Sequence, residues 1–201
     1  MASPKKLSYL NGIVICHGKS EVCLARFITT NLHLRVKIFA RDKGESSIQI
    51  PGLTRILKSK PFNKPSSFIE QYDDVEYSGR GKSIKLSNFK LFIIMDTDDC
   101  TEQQKKDFIS GVMFADHWLY EYIVPIYSID SIEDVMLDAG IMTKRISDAE
   151  KGTFYTKVFP INKKPYSNDT LQEVKTLKQK VEKSKKTNLV TFIDYCLSLL
   201  H

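Results

Sequence analysis

Leu91-Phe92-Ile93-Ile94-Met95-Asp96-Thr97-Asp98-Asp99-Cys100 sets five apolar residues, without a break, against three carboxylates. An apolar run this short reads as a strand buried on both faces, as in a parallel sheet covered by helices. The run ends in charge, and in open α/β sheets sites form beyond the carboxyl ends of the strands. Asp96 and Asp98 are two positions apart, so an extended backbone points them the same way; the turn that follows brings Asp99 near. Carboxylates held together repel unless a cation lies between them. Oxygen donors of this kind select Mg²⁺ (or Mn²⁺) over zinc. The plainer use of these residues is to start the next helix, since Thr101-Glu102-Gln103-Gln104 nearly matches a capping box. A cap needs one of the carboxylates and leaves two to explain.

Upstream, Gly12-Ile13-Val14-Ile15-Cys16 is a second unbroken apolar run, and it ends in His17-Gly18-Lys19-Ser20-Glu21. The spacing of Val22, Cys23, Ala25, Phe27 and Ile28 predicts a helix beginning near Ser20 as N-cap. Residues 35–40 alternate and predict a strand, so 12–40 is a βαβ unit. Residues 41–90 hold a helix in 46–58 interrupted at Pro51-Gly52, a short helix at 68–72 and a basic loop at 77–83. Beyond the central strand come a helix over 101–114 and a strand over 120–127, which Pro125 places at an edge or end. A short helix over 132–137 closes at Gly140, and 154–159 reads as another short strand. Thr170-Leu171-Gln172-Glu173 reads as a capping box opening a helix with Leu171, Val174, Leu177 and Val181 as its apolar stripe. The last helix, 189–200, is apolar enough to dock on the body. The expected architecture is an α/β domain over 1–165, with a mainly parallel central sheet flanked by helices. A basic helical C-terminal extension over 166–201 packs on the same domain.

With 42% hydrophobic and 27% charged residues in 201, the composition is that of an ordinary globular chain. There is no apolar run long enough for a bilayer and no signal-peptide core after the first lysines, so no membrane partner and a cytoplasmic location are expected. Cys16, Cys23, Cys100 and Cys196 lie scattered in apolar stretches, as reduced thiols would. Charge is unevenly spread. Residues 96–138 carry eleven acids against two lysines, and 151–190 carry ten lysines against three acids. An acidic centre beside basic flanks suits a metal-dependent enzyme acting on a polyanion. For the C-terminal lysines alone, a solvated helix face explains as much.

Several shorter motifs carry less. Gly18-Lys19-Ser20 mimics the end of a P-loop, but Gly12 lies one residue too far upstream and the intervening residues are the strand itself. No G-x-S-x-G elbow accompanies Cys16-His17-Gly18, which removes an α/β-hydrolase. Asp96 and Asp98 also fit a D-x-D aspartyl-phosphate phosphatase, with Asp96 as nucleophile and Asp98 as general acid, although such a motif normally sits on the first strand.

One arrangement accounts for more residues. A first strand ends in Gly18-x-x-Glu21, a central strand in Asp96-x-Asp98, and a later strand is followed by Ser128-x-x-x-x-Glu133, with Asp134 next. Over roughly residues 10–140 this resembles the Toprim fold of metal-dependent nucleases and topoisomerases. It is closest to the compact Toprim of OLD-like and RloB-like proteins of bacterial anti-phage systems. The resemblance implies a Mg²⁺-dependent hydrolysis of phosphodiester bonds in DNA or RNA. It assigns Glu21, Asp96 and Asp98 to the metal, and His17, Glu21 and Glu133 to catalysis. His17 stands where the family pattern has a glutamate, and a histidine can bind metal or move a proton near neutral pH. It could equally mark a site that binds without cutting, a nucleic-acid-binding or adaptor module serving an ATPase or other defence-system protein. Lys19, Arg80, Lys82 and Lys151 are the expected phosphate grips, the first three on loops near the strand ends. Lys144, Arg145 and Lys151 are candidates for neutralising transition-state charge. The final helix packs internally or forms the seam of a homodimer.

Overall fold

The computed structural model describes residues 9–161 and 167–200. Strand β1 (Gly12–Cys16) leads through helix α1 (Lys19–Asn31) to β2 (Val36–Phe39). Helices α2 (Leu53–Leu57) and α3 (Pro65–Gln71) follow, then a small hairpin of β3 (Tyr77–Ser78) and β4 (Lys85–Leu86), and the central strand β5 (Lys90–Asp96). Helix α4 (Glu102–Ile109) connects to β6 (Ile123–Ser128), after which the chain is helical: α5 (Ile132–Asp138), α6 (Asp148–Val158), α7 (Asn168–Val181) and α8 (Val190–Ser198). The main sheet has four strands in the order β2-β1-β5-β6, all parallel. The α/β class with a central parallel sheet flanked by helices is therefore as expected.

Both unbroken apolar runs are central strands, and alternation splits their side chains between two cores. Val14, Cys16, Phe92, Ile94 and Ile126 pack against α1 and α5–α8 on one face. Ile13, Ile15, Leu91, Ile93 and Met95 pack against α2–α4 on the other. Each such side chain contributes about 1.5–3 kcal/mol when fully buried, which holds the register Cys16↔Ile94 and Asp96↔Ser128. From β1 the chain runs outward to β2, then crosses back to lay β5 on the other side. Strand order thus reverses between β1 and β5, the position at which doubly wound sheets open a crevice.

Edge strand β6 tolerates Pro125 because of which way it faces. The Pro125 carbonyl points outward and accepts from Asn188 Nδ2 at 2.9 Å. Its missing N–H is therefore on the outer side and breaks no bond to β5. The stretch Ser184-Lys185-Lys186-Thr187-Asn188 then covers this edge. Asn188 Oδ1 accepts from Tyr127 N–H (2.9 Å), Thr187 Oγ1 donates to Tyr127 O (2.6 Å), and Ile129 N–H donates to Lys186 O (2.7 Å). Helix α8 docks internally: the Phe192 and Phe92 ring centroids are 5.0 Å apart, and the Tyr195 hydroxyl donates to Asn11 O at 2.5 Å. The C-terminal helices thus share the core of the sheet; the boundary expected after residue 165 falls outside the described residues. Among the described residues no helix is long and apolar enough to cross a membrane. All four cysteines are free.

Three expectations need correction. Residues 154–159 are not a strand but the end of α6. Tyr155 and Phe159 are one helical turn apart and stack at 5.9 Å, and Phe159 also meets Phe27 at 5.6 Å. The tail helix begins at Asn168, with Ser167 rather than Thr170 as cap, its Oγ accepting from Thr170 N–H. Finally, Arg80 and Lys82 lie in the β3–β4 hairpin at the amino ends of the strands. Glu76 O accepts from Ser87 N–H just before β5, and Leu10 bridges to Val75 just before β1. A segment that runs directly into a strand enters at its amino end, so these two residues stand opposite the carboxyl-end acids rather than beside them.

Candidate functional site

The carboxyl ends of β1, β5 and β6 converge where the strand order reverses. β1 continues its ladder by one residue, His17 N–H donating to Ile94 O at 2.9 Å. Gly18, not Ser20, is the N-cap of α1. Glu21 bends back so that its Oε2 accepts from Gly18 N–H at 2.8 Å, half of a capping box. Glu21 is only 1% exposed, and its other oxygen, Oε1, has no partner. Starting the helix requires one oxygen of this carboxyl; the second is left buried and unsatisfied.

Asp96, the last residue of β5, is in register with Ser128, the last residue of β6. It accepts from the backbone N–H of Ile132, while its Oδ1 is buried without a partner, as is Ser128 Oγ. Thr97 fixes the turn, its N–H and Oγ1 both donating to Ser128 O. The capping role expected for one aspartate goes to Thr101 alone, whose Oγ1 accepts from Gln104 N–H while Gln104 Oε1 accepts from Thr101 N–H. None of Asp96, Asp98 and Asp99 is used to start α4. Asp98 and Asp99 are exposed, and Asp99 accepts from Gln49 Nε2 at 3.1 Å.

Glu133 comes in from α5. Its Oε1 accepts from the hydroxyls of Tyr155 (2.9 Å) and Ser20 (3.1 Å), and Lys151 Nζ stands 3.4 Å away. Asp134 turns aside to Ser131 and Arg145 and takes no part. Ser20, read in the sequence only as a helix cap and as the end of a P-loop mimic, and Tyr155, not singled out at all, are site residues that the sequence reading misses. No local motif marks them, because they matter through a residue more than a hundred positions from Ser20 and another helix from Tyr155.

Electrostatics ties these acids together. Burial pushes the Asp96 carboxyl well above the usual carboxylate range, with Glu21, Glu133 and Asp98 adding to the rise. Burial raises Glu21 as well, against the pull of His17. Burial also raises Asp98, with Asp99 beside it. Burial acts on Glu133 too, but the Tyr155 hydroxyl, Lys151 and Ser20 outweigh it and leave this carboxyl below its ordinary value. Glu133 is thus held ionised while Asp96 and Glu21 are held toward their protonated forms.

The buried side-chain oxygens and nitrogens without a partner among the described residues are His17 Nδ1, Glu21 Oε1, Asp96 Oδ1 and Ser128 Oγ. All four lie at or just beyond the carboxyl ends of β1, β5 and β6. An unsatisfied buried polar atom costs about 1–3 kcal/mol, so a cluster of them signals a group that completes the site. The donor chemistry, carboxylate oxygens with one imidazole, fits a hard divalent cation. The ligand geometry is not formed as the side chains stand: among the described residues no three His, Cys, Asp or Glu side chains are arranged to hold a metal ion.

Of the expected phosphate grips, Lys19 is exposed at the start of α1 and paired with Glu45 at 2.8 Å, and Lys151 reaches the site through Glu133. Arg80 and Lys82 are remote from it. No family model, curated protein or solved structure matches this chain.

Proposed function

We propose that the chain is a Toprim-like, Mg²⁺-dependent nuclease that hydrolyses phosphodiester bonds in DNA or RNA, in the setting of phage defence. The observation that supports this reading is the convergence of four unsatisfied buried polar atoms, two of them on carboxylates, at the reversal point of a parallel sheet. Glu21, Asp96 and Asp98 would hold Mg²⁺ or Mn²⁺, with Asp98 turning inward from its exposed position. Such a cation, when bound, polarises the scissile phosphate and lowers the pKa of the attacking water. The chain's own groups do the rest. His17 offers an unpartnered Nδ1 to take a proton from that water or return one to the leaving oxygen. Glu133, kept ionised by Tyr155, Ser20 and Lys151, orients water beside the acids. Lys151 offsets charge that builds on the phosphate.

The test is cleavage of plasmid, single-stranded DNA and total tRNA with Mg²⁺, Mn²⁺ or EDTA, wild type beside Asp96→Asn. Metal-dependent cutting by wild type, reduced at least a hundredfold in the variant, is the expected result. Absence of cutting with every substrate and metal overturns it. His17 favours one second reading, that of a module which binds without cutting. His17→Glu then raises activity from a low level if the site is an impaired nuclease and changes nothing in an adaptor. The phosphatase reading requires Asp96 as an ionised nucleophile, and turnover of a small aryl phosphate with a covalent intermediate on Asp96 would establish it instead.

A further inference from the structure

Beyond β2 the chain makes a turn in which Asp42, Lys43 and Gly44 follow one another at φ of 46°, 59° and 97°. Backbone in this region costs non-glycine residues about 1–2 kcal/mol each and persists only where the surroundings enforce it. Here α1 enforces it. A Cβ on Gly44 would lie 3.1 Å from Lys19 Cα and 3.2 Å from Lys19 N, so the turn rests backbone to backbone on the start of that helix. The turn delivers the next residues to the crevice. Ile48 N–H donates to His17 O at 2.7 Å, and Gln49 Nε2 donates to Asp99 Oδ2 at 3.1 Å.

Between this turn and α2 lies a cavity of about 420 Å³ lined by Arg41, Ser47, Gln49, Arg55 and Ser59, with Ile56. No carboxylate lines it. The nearest counter-charge shown is Asp42, 3.9 Å from Arg41 Nε with both side chains mostly exposed, a pairing too weak to neutralise the guanidinium. Ser59 Oγ already donates to Ile56 O and Gln49 Nε2 to Asp99, but two guanidiniums and the Ser47 hydroxyl, with no acid in the lining, form a site for an anion. The planar guanidinium fork matches phosphate oxygens in pairs. Through Gln49 the cavity is one side chain away from Asp99, so a polymer bearing a phosphate at every residue can occupy the cavity and lie over the acids at once.

We infer that this cavity is a phosphate subsite, in which Arg41 and Arg55 grip a backbone phosphate of a nucleic-acid strand next to the acidic crevice. The inference rests on the nuclease reading for the identity of the ligand, not for its charge. It is tested with the full chain in EDTA, where nothing is cut. Binding of fluorescein-labelled single-stranded DNA and RNA is measured by anisotropy across a salt series. Each neutralised phosphate contributes a slope of about 0.7 for single strands. The double variant Arg41→Gln/Arg55→Gln, which gives up one phosphate, is therefore expected to show a log–log slope shallower by about 0.7. Both residues are exposed, so the fold does not depend on them. Arg80→Gln/Lys82→Gln, at the opposite end of the sheet, is expected to keep the wild-type slope. A slope unchanged in the first variant overturns the subsite, as does a fall confined to the second. If no oligonucleotide binds but a nucleoside monophosphate binds in an Arg41- and Arg55-dependent way, the ligand is a small phosphate ester and the nucleic-acid assignment is overturned. A chain that binds with the expected slope yet never cuts when metal is added overturns the nuclease reading and leaves the subsite standing.

Discussion

At Asp96 a carboxyl that is 7% exposed has one backbone donor and an oxygen with none. Its folded-state pKa is raised, so its contribution to stability is present below the ordinary carboxylate range and is lost as pH rises through the folded value. The Asp96 contribution to the stability of metal-free protein is therefore expected to fall from about pH 4 up to the raised folded value of about 9. Asp96→Asn, which removes the titrating group and keeps the shape, is expected to stabilise metal-free protein at neutral pH by about 1–3 kcal/mol. That is a rise of several degrees at about 2–4 °C per kcal/mol, read by thermal denaturation in EDTA. Mg²⁺ is expected to raise the melting temperature of wild type and leave the variant unmoved; equal shifts in both would remove Asp96 from the metal. Tyr155 works in the opposite sense, holding Glu133 ionised. Tyr155→Phe keeps the buried ring and deletes a hydrogen bond to a charged group, a loss of about 1.5–3 kcal/mol measurable in urea at pH 7. Below the pH at which Glu133 protonates, the difference from wild type is expected to shrink.

Among elements, those that announce themselves in the sequence are the ones whose burial is uniform. The runs Gly12–Cys16 in β1 and 91–95 in β5 are apolar without a break because both of their faces meet helices. Residues 154–159 read as a strand because the apolar run is short, although Phe154/Val158 and Tyr155/Phe159 are spaced by four with Thr156 and Lys157 between them; the Tyr155–Phe159 stack and the contact of Phe159 with Phe27 belong to the helix. Glu21 was legible as an acid at a strand end, but not as the residue that also starts α1, because that depends on Gly18 rather than Ser20 being the cap. Arg80 and Lys82 were misplaced by proximity in sequence, although a loop preceding a parallel strand belongs to its amino end. No periodicity marks residues 184–188 as the cover of β6. Asn188→Ala removes two bonds to the edge, to Tyr127 N–H and Pro125 O. It is expected to cost about 1–3 kcal/mol, checked by urea denaturation.

For the whole molecule, the division of charge acquires a geometry. The acids of 96–138 include those gathered at the carboxyl ends of the strands, while Lys151 from the basic region reaches into the same crevice through α6. Arg41 and Arg55 line a cavity that Gln49 links to Asp99, in a segment that the composition of the flanks did not single out. The α/β class was legible because it depends on strand patterning, whereas the position of the cations around the site depends on how the 41–59 segment folds back, which no periodicity encodes.

The covered edge also sets an arithmetic for self-assembly. With β6 occupied by 184–188, the main sheet keeps one open border, along β2, which among the described residues pairs only with β1. A particle with a single sticky side can meet one copy of itself and then has nothing left to offer. Growth by strand addition therefore terminates at two chains, and a filament would first have to strip Thr187 and Asn188 from their places.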